Sequence, residues 1–121
     1  MEHNSWESIT RLAKPRKYHA CALLGDEIYV LGGNYDDSTE VLNVTSHTWT
    51  SGPGLLESGQ NYNQYGQALT YKGSLYFISR GGRVDQLNPD RSGWTTVARI
   101  GNIGNRRVYP ALIVRGDILY F

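Results

Sequence analysis

His19 and Cys21 stand two residues apart in the stretch HACALL. If that stretch is a strand, both side chains share one face, and an imidazole beside a thiol is the minimal layout for a nucleophile and its base. No third group follows at a spacing that would orient the imidazole, so the pair reads as a buried structural one. The single cysteine has no internal disulfide partner, and His3, His19 and His47 do not stand with it at metal-ligand spacing. The doublets Gly32-Gly33 and Gly81-Gly82 resemble phosphate-cradling loops only in composition, because neither leads into Lys-Ser/Thr and a helix. They read as turns. Gly101-Asn102-Ile103-Gly104 has the Gly-x-x-Gly form of a nucleic-acid clamp but no flanking helical periodicity, and it reads as a connecting loop. Asn43-Val44-Thr45 fits a glycosylation sequon, which matters only in a secreted chain. No catalytic, metal-binding or cofactor-binding residue is assigned.

Composition narrows the remaining classes. The chain of 121 residues is long enough for one domain at most, and a net charge of +1 gives no global field for a polyanion. Nucleic acid is therefore not an expected partner. Fourteen glycines and nine tyrosines favour turns and pleated strands over helices. The first residues, MEHNSWESITRL, hold no apolar core of signal-peptide length, and the longest apolar runs, such as ACALL, are too short to span a bilayer. A cytoplasmic, non-membrane protein is expected. Lys14-Pro15-Arg16-Lys17, a short basic patch of the nuclear-import kind, leaves the nucleus open.

The rarest residues expose a repeat. Trp6, Trp49 and Trp94 are 43 and 45 residues apart. Tyr18 and Tyr29, Tyr65 and Tyr76, and Tyr109 and Tyr120 are each eleven apart. Around these pairs YHACALLGDEIYV, YGQALTYKGSLYF and YPALIVRGDILYF align, each reading as strand, tight turn and strand. The turns fall at Gly25-Asp26, Lys72-Gly73 and Gly116-Asp117, where glycine supplies the positive φ of a short hairpin. Ala20, Ala22 and Leu24 alternate with Cys21 and Leu23, so both faces of the first strand are expected to be covered. A half-polar third strand (40–44, 84–87) and a Trp-bearing fourth (47–50, 93–97) complete each unit. The fixed period of the tryptophans points to packing between units more than to a stacking platform. Four strands per period of about 45 residues, with polarity rising outward, describe a propeller blade.

These residues resemble the kelch repeat: Arg16, Tyr18 and His19, then IYVLGG at 28–33, TEVLNV at 39–44 and Trp49. The second repeat departs from the pattern, with Ser79-Arg80 ahead of Gly81-Gly82 and a bulge expected there. The resemblance implies an all-β, incomplete kelch-type β-propeller of four-stranded antiparallel blades, about 2.7 repeats in all. The expected division is an outer strand of a preceding blade and linker (1–15), a first full blade (16–51), an inter-blade loop (52–64), a second full blade (65–98) and the inner strands of a truncated third (99–121). An incomplete ring leaves edges, and the apolar strand Ile118 to Phe121 is an expected site of self-association.

Function on such a scaffold resides in loops. The connectors between blades and the loops after the double glycines share one end, because strand direction alternates. There the expected partner-binding residues are Arg16, Lys17, Tyr35, Asn61, Tyr62, Asn63, Arg83, Arg106 and Arg107. Guanidinium forks pair with carboxylates and Tyr adds contact area at low entropy cost, so the expected partner is an acidic peptide segment of a protein. Arg16 and Arg106 have a second reading as ligands of loop carbonyls. The resemblance implies a non-enzymatic interaction module, such as the substrate receptor of a ubiquitin-ligase adaptor. The alternative it implies is a fragment of a propeller enzyme acting on sugars, an oxidase or epimerase.

Overall fold

A computed structural model describes residues 11–34, 36–56, 66–79 and 82–99, together with the backbone of two short strands near the C-terminus. The strands run β1 (Ala20–Leu24), β2 (Glu27–Leu31), β3 (Thr39–Asn43), β4 (Thr48–Ser51), β5 (Gln67–Tyr71), β6 (Ser74–Ile78), β7 (Arg83–Leu87), β8 (Trp94–Arg99), β9 (Ile113–Arg115) and β10 (Ile118–Tyr120). They form two four-stranded antiparallel sheets in sequence order, β1 to β4 and β5 to β8, and a two-stranded sheet of β9 and β10. Among the described residues there is no helix. The fold is all-β, built from meandering blades.

Hairpin register follows the tyrosine spacing. Tyr29 pairs with Ala22, Tyr76 with Leu69 and Tyr120 with Ile113, so the three hairpins are superposable in register. Tyr18 is the exception. It lies ahead of β1 with φ 59 and is 45% exposed, so the first residue of that Tyr pair is not a strand residue. His19 and Cys21 are exposed as well, not the buried pair that their spacing suggests. The irregularity of the second blade falls between Val84 and Asp85, where Val97 is the extra residue on β8. The bulge anticipated before the second doublet lies at Arg80 and Gly81, outside the described residues.

The core lies between the two blades rather than within either. One face of the first blade, with Ala20, Leu24, Tyr29, Leu31 and Val41, meets Leu75, Phe77, Leu87 and Trp94 of the second, and Leu55 from the connector joins them. Phe77 and Trp94 approach edge to face, with ring centroids 6.5 Å apart. Gly66, just before β5, is required by this packing, because a Cβ there would sit 2.5 Å from the Phe77 ring. Polar contacts stitch the same seam. The Thr70 hydroxyl donates to the Leu23 carbonyl, the Trp94 indole N–H donates to the Pro53 carbonyl at 3.2 Å, and Arg91 pairs with Glu27. Burial, and then the Glu27 carboxylate, push the Tyr29 phenol above its usual range although Arg91 opposes them.

The expectation that both faces of β1 are covered fails on one side. Leu24 is 9% exposed whereas Leu23 is 55% exposed. The reason is geometric: Leu23 points away from the second blade, and no other blade covers that side among the described residues.

Because Phe77 is fully buried at the seam, Phe77→Ala is expected to destabilise the chain by about 3–5 kcal/mol. Urea denaturation followed by tryptophan fluorescence measures this. Val97→Ala, at a position 48% exposed, should change stability by no more than about 0.5 kcal/mol.

Candidate functional site: the connector end of the blades

The antiparallel meander sends the segment before β1, the β2–β3 loop and the β4–β5 connector to one end of the first blade. Hydrogen bonds knit them together. Leu55 N donates to Asp37 O at 2.8 Å, Gly52 N to Thr39 O at 2.9 Å, and Asn34 N to Lys17 O at 3.0 Å. Gly33, at φ 126, lets the loop pass so close to Lys17 that a Cβ there would lie 2.8 Å from the Lys17 carbonyl oxygen.

At the centre of this end lies Arg16, whose side chain is fully buried. Nε donates to Glu40 Oε2 at 3.1 Å. Nη1 donates to the carbonyls of Gly32 at 2.9 Å and Ser38 at 3.0 Å. Nη2 donates to Ser38 Oγ at 2.8 Å and Glu40 Oε2 at 2.9 Å. A guanidinium has five N–H donors, and these contacts occupy the full set. Glu40 Oε1 accepts the Ala13 N–H at 2.6 Å. Burial opposes the Glu40 carboxylate, yet the Ala13 N–H and Arg16 outweigh it and hold the group below its ordinary value. Asp36 is lowered in the same way: burial opposes its charge, and the Ser38 hydroxyl and N–H and then Arg16 prevail. Its Oδ1 accepts both Ser38 donors, at 2.6 and 2.9 Å.

The second blade solves the same problem from a different position. Asp85 occupies in β7 the place of Glu40 in β3, each two residues before a leucine that pairs with the blade's tryptophan. Asp85 is fully buried, and Arg83 Nε reaches its Oδ2 at 2.6 Å while the Thr96 hydroxyl reaches Oδ1 at 2.8 Å. Arg83 Nη2 also donates to the Leu56 carbonyl at 3.2 Å, tying the connector down. Arg16 and Arg83, expected on a partner-facing surface, are therefore both turned inward. Each neutralises a buried carboxylate that would otherwise be costly, and that duty removes their donors from the surface. The second reading of Arg16, as a ligand of loop carbonyls, matches its contacts with Gly32 and Ser38.

Of the other expected site residues, Lys17 is exposed, with its ammonium 5.4 Å from the Tyr18 ring centre. Tyr35, Asn61, Tyr62, Asn63, Arg106 and Arg107 lie outside the described residues. Tyr18 was missed as a surface residue because the period of the tyrosines reads it as the first residue of a strand. Glu40 and Asp85 were missed although their shared position two before Leu42 and Leu87 was visible in the aligned third strands. Among the described residues no group of three His, Cys, Asp or Glu side chains is placed to hold a metal ion, and no helix is long and apolar enough to cross a membrane.

Blades of this topology, with loops and connectors gathered at one end, are those of β-propellers. Residues 15–56 match the Kelch motif. Similar proteins include three F-box/kelch-repeat proteins of Arabidopsis thaliana. One is 28% identical across 88% of this chain and 29% of its own length. A second is 28% identical across 67% of this chain and 20% of its own length. The third is 45% identical across 49% of this chain and 14% of its own length. The chain thus spans less than a third of each of these relatives. Among solved structures, that of YjhT superposes with a TM-score of 0.62 at 16% identity, covering 74% of this chain and 30% of that one. At that identity the likeness is one of fold.

Two outcomes are expected from the buried pairs. Arg16→Ala strands the Glu40 carboxylate and should cost about 3–5 kcal/mol, measured by thermal or urea unfolding. Glu40 and Asp36 have folded pKa values below their unfolded ones. Their stabilisation is complete above the unfolded carboxylate range of about pH 4 and disappears as pH falls through the folded values. Glu40→Gln should lower stability at neutral pH and flatten that acid-side loss; an unchanged acid slope would assign the loss to other groups.

Proposed function

We propose that the chain is a protein-binding segment of a cytoplasmic kelch propeller that receives an acidic peptide segment at the connector end of its blades. The observation that supports this best is the pairing of Lys17 and Tyr18 at that end. Tyr18 holds a left-handed φ of 59, a conformation costing a non-glycine residue roughly 1–2 kcal/mol. The residues just before it hold it in place: Arg16 is buried in its ion pair and the Lys17 carbonyl accepts the Asn34 N–H. Such strain at an exposed aromatic is a pointer to use. The flanking Lys17 supplies a cation for a carboxylate, and the ring supplies area that orders at low entropy cost.

Tyr35, Asn61, Tyr62, Asn63, Arg106 and Arg107 are proposed to extend this contact around the loops. Arg16 and Arg83 serve it from beneath by fixing the loop and connector. The relatives named as F-box/kelch-repeat proteins support an adaptor reading, in which the propeller is the substrate receptor of a ubiquitin ligase. Since this chain spans less than a third of those relatives, that role belongs to the whole protein of which the repeats are a part.

The test is titration of a fluorescent Asp/Glu-rich peptide, followed by anisotropy at several salt concentrations. Affinity should fall as ionic strength rises, and Lys17→Glu should weaken it by about 3- to 10-fold. Tyr18→Gly separates strain from use: it should weaken binding while leaving stability unchanged or raised by up to about 1 kcal/mol. A salt-independent peptide affinity that both variants leave intact would remove the proposal.

A further inference from the structure

β4 is the last strand of the first sheet, and among the described residues no strand pairs with its outer side. The register says which of its backbone groups are left over. Gly52 N donates to Thr39 O, so Thr50 exchanges both ladder bonds with Val41, and the N–H and C=O of Trp49 and Ser51 point out of the sheet. β8, the matching strand of the second blade, is interrupted by the extra residue Val97, and a bulge of that kind blunts an edge. β4 runs unbroken.

A groove of about 300 Å³ lies between the end of β4 and the β7–β8 turn, with Glu27, Tyr29, Thr50, Ser51, Arg91 and Ser92 in its walls. Both described blades contribute to it. Arg91 Nη1 pairs with Glu27, and the Tyr29 phenol is within its reach. Those contacts leave further N–H donors on a guanidinium that is 44% exposed, in contrast to Arg16, whose five donors are all engaged. Arg91 also holds a left-handed φ of 62, which a glycine would adopt without steric cost, and such an outlier in the wall of a groove points to use.

We propose that this groove receives an extended acidic peptide segment, which adds to β4 as a further strand and sets a carboxylate on the Arg91 fork. Two features specify that occupant. Outward N–H and C=O groups on every second residue of an edge are matched by another extended backbone. Side chains of an added strand alternate between faces, so those on the groove side approach Arg91, and a planar fork with unused donors takes a carboxylate. The site stands apart from Lys17 and Tyr18. They precede β1 at the connector end, whereas Arg91 lies in the β7–β8 turn at the opposite end of the blades.

The test uses the 121-residue chain carrying Lys17→Glu and Tyr18→Gly, so that the connector end is not the site being read. Fluorescence anisotropy follows a labelled peptide of about eight residues that alternates Thr and Glu, and saturable binding is expected. Two versions of the peptide are methylated, one on the Thr nitrogens and one on the Glu nitrogens. Only one set of N–H groups faces β4, so one version should bind about 10-fold or more weakly and the other nearly as well as the parent. Arg91→Gly removes the fork and relieves the strained φ; it should weaken binding by about 3- to 10-fold, with the thermal midpoint by circular dichroism left in place. If Arg91→Gly lowers that midpoint, Arg91→Lys, which keeps the charge beside Glu27 and loses the planar fork, takes its place in the comparison. Absence of binding overturns the proposal. So does an equal response to the two methylated peptides, which would mark attraction by charge alone, and so does binding that the Arg91 variant leaves intact.

Discussion

A four-stranded blade has no interior of its own. Its sheet is one layer thick, so every apolar side chain becomes buried only when a second sheet lies against it. In this protein that rule decides nearly everything else. It places the core at the seam between blades, it makes Phe77 and Trp94 the anchors of that seam, and it leaves Leu23 wet on the side where no sheet lies among the described residues. It also explains why most polar contacts of the seam involve a turn or connector residue, the bond from Thr70 to Leu23 being the strand-to-strand exception. The strands meet through apolar faces, and hydrogen bonds form mainly where those faces end, at Pro53, Leu56, Glu27 and Arg91.

Stacked sheets still need their loops held in place, and the molecule does this with buried charge. Carboxylates at Glu40 and Asp85 sit under the loop end, each met by a guanidinium that also binds loop or connector carbonyls. Buried ion pairs are a weak source of net stability, since desolvation offsets much of the attraction. What they supply here is geometry. A single Arg16 fixes the ends of the β2–β3 loop, at Gly32 and Ser38, relative to β3 and to the segment before β1. The surface formed by Lys17 and Tyr18 therefore rests on a rigid base, and a strained tyrosine can persist there.

The repeat was legible because packing at the seam demands the same residue types at the same register. Tyr29 and Trp94 answer to that demand at the seam and Gly25 and Gly73 close its hairpins, and the recurrence of these residue types gave the blade topology without any structure. The direction of the arginines was not legible. Arg16 and Arg83 look like surface cations in a linear chain, and only the aligned acids two before Leu42 and Leu87 hint at a buried partner. Tyr18 misled for the opposite reason: its spacing from Tyr29 equals that of the other pairs, but the backbone turns into the left-handed region just before β1 begins. A side-chain period carries no information about φ at the residue where the strand starts.

The two ion pairs also differ in how far along the chain their partners stand. Arg83 and Asp85 are two residues apart on one strand, whereas Arg16 and Glu40 are separated by 24. The first pair needs only a local extended conformation to come together; the second needs a loop to close across most of a blade, with the entropy that closure removes. The second blade can thus neutralise its charge before its neighbour has formed, while the first can do so only once its third strand has arrived. The two repeats share one architecture but differ in contact order at the same structural position: one arginine stands on the same strand as its acid, the other in the segment before β1.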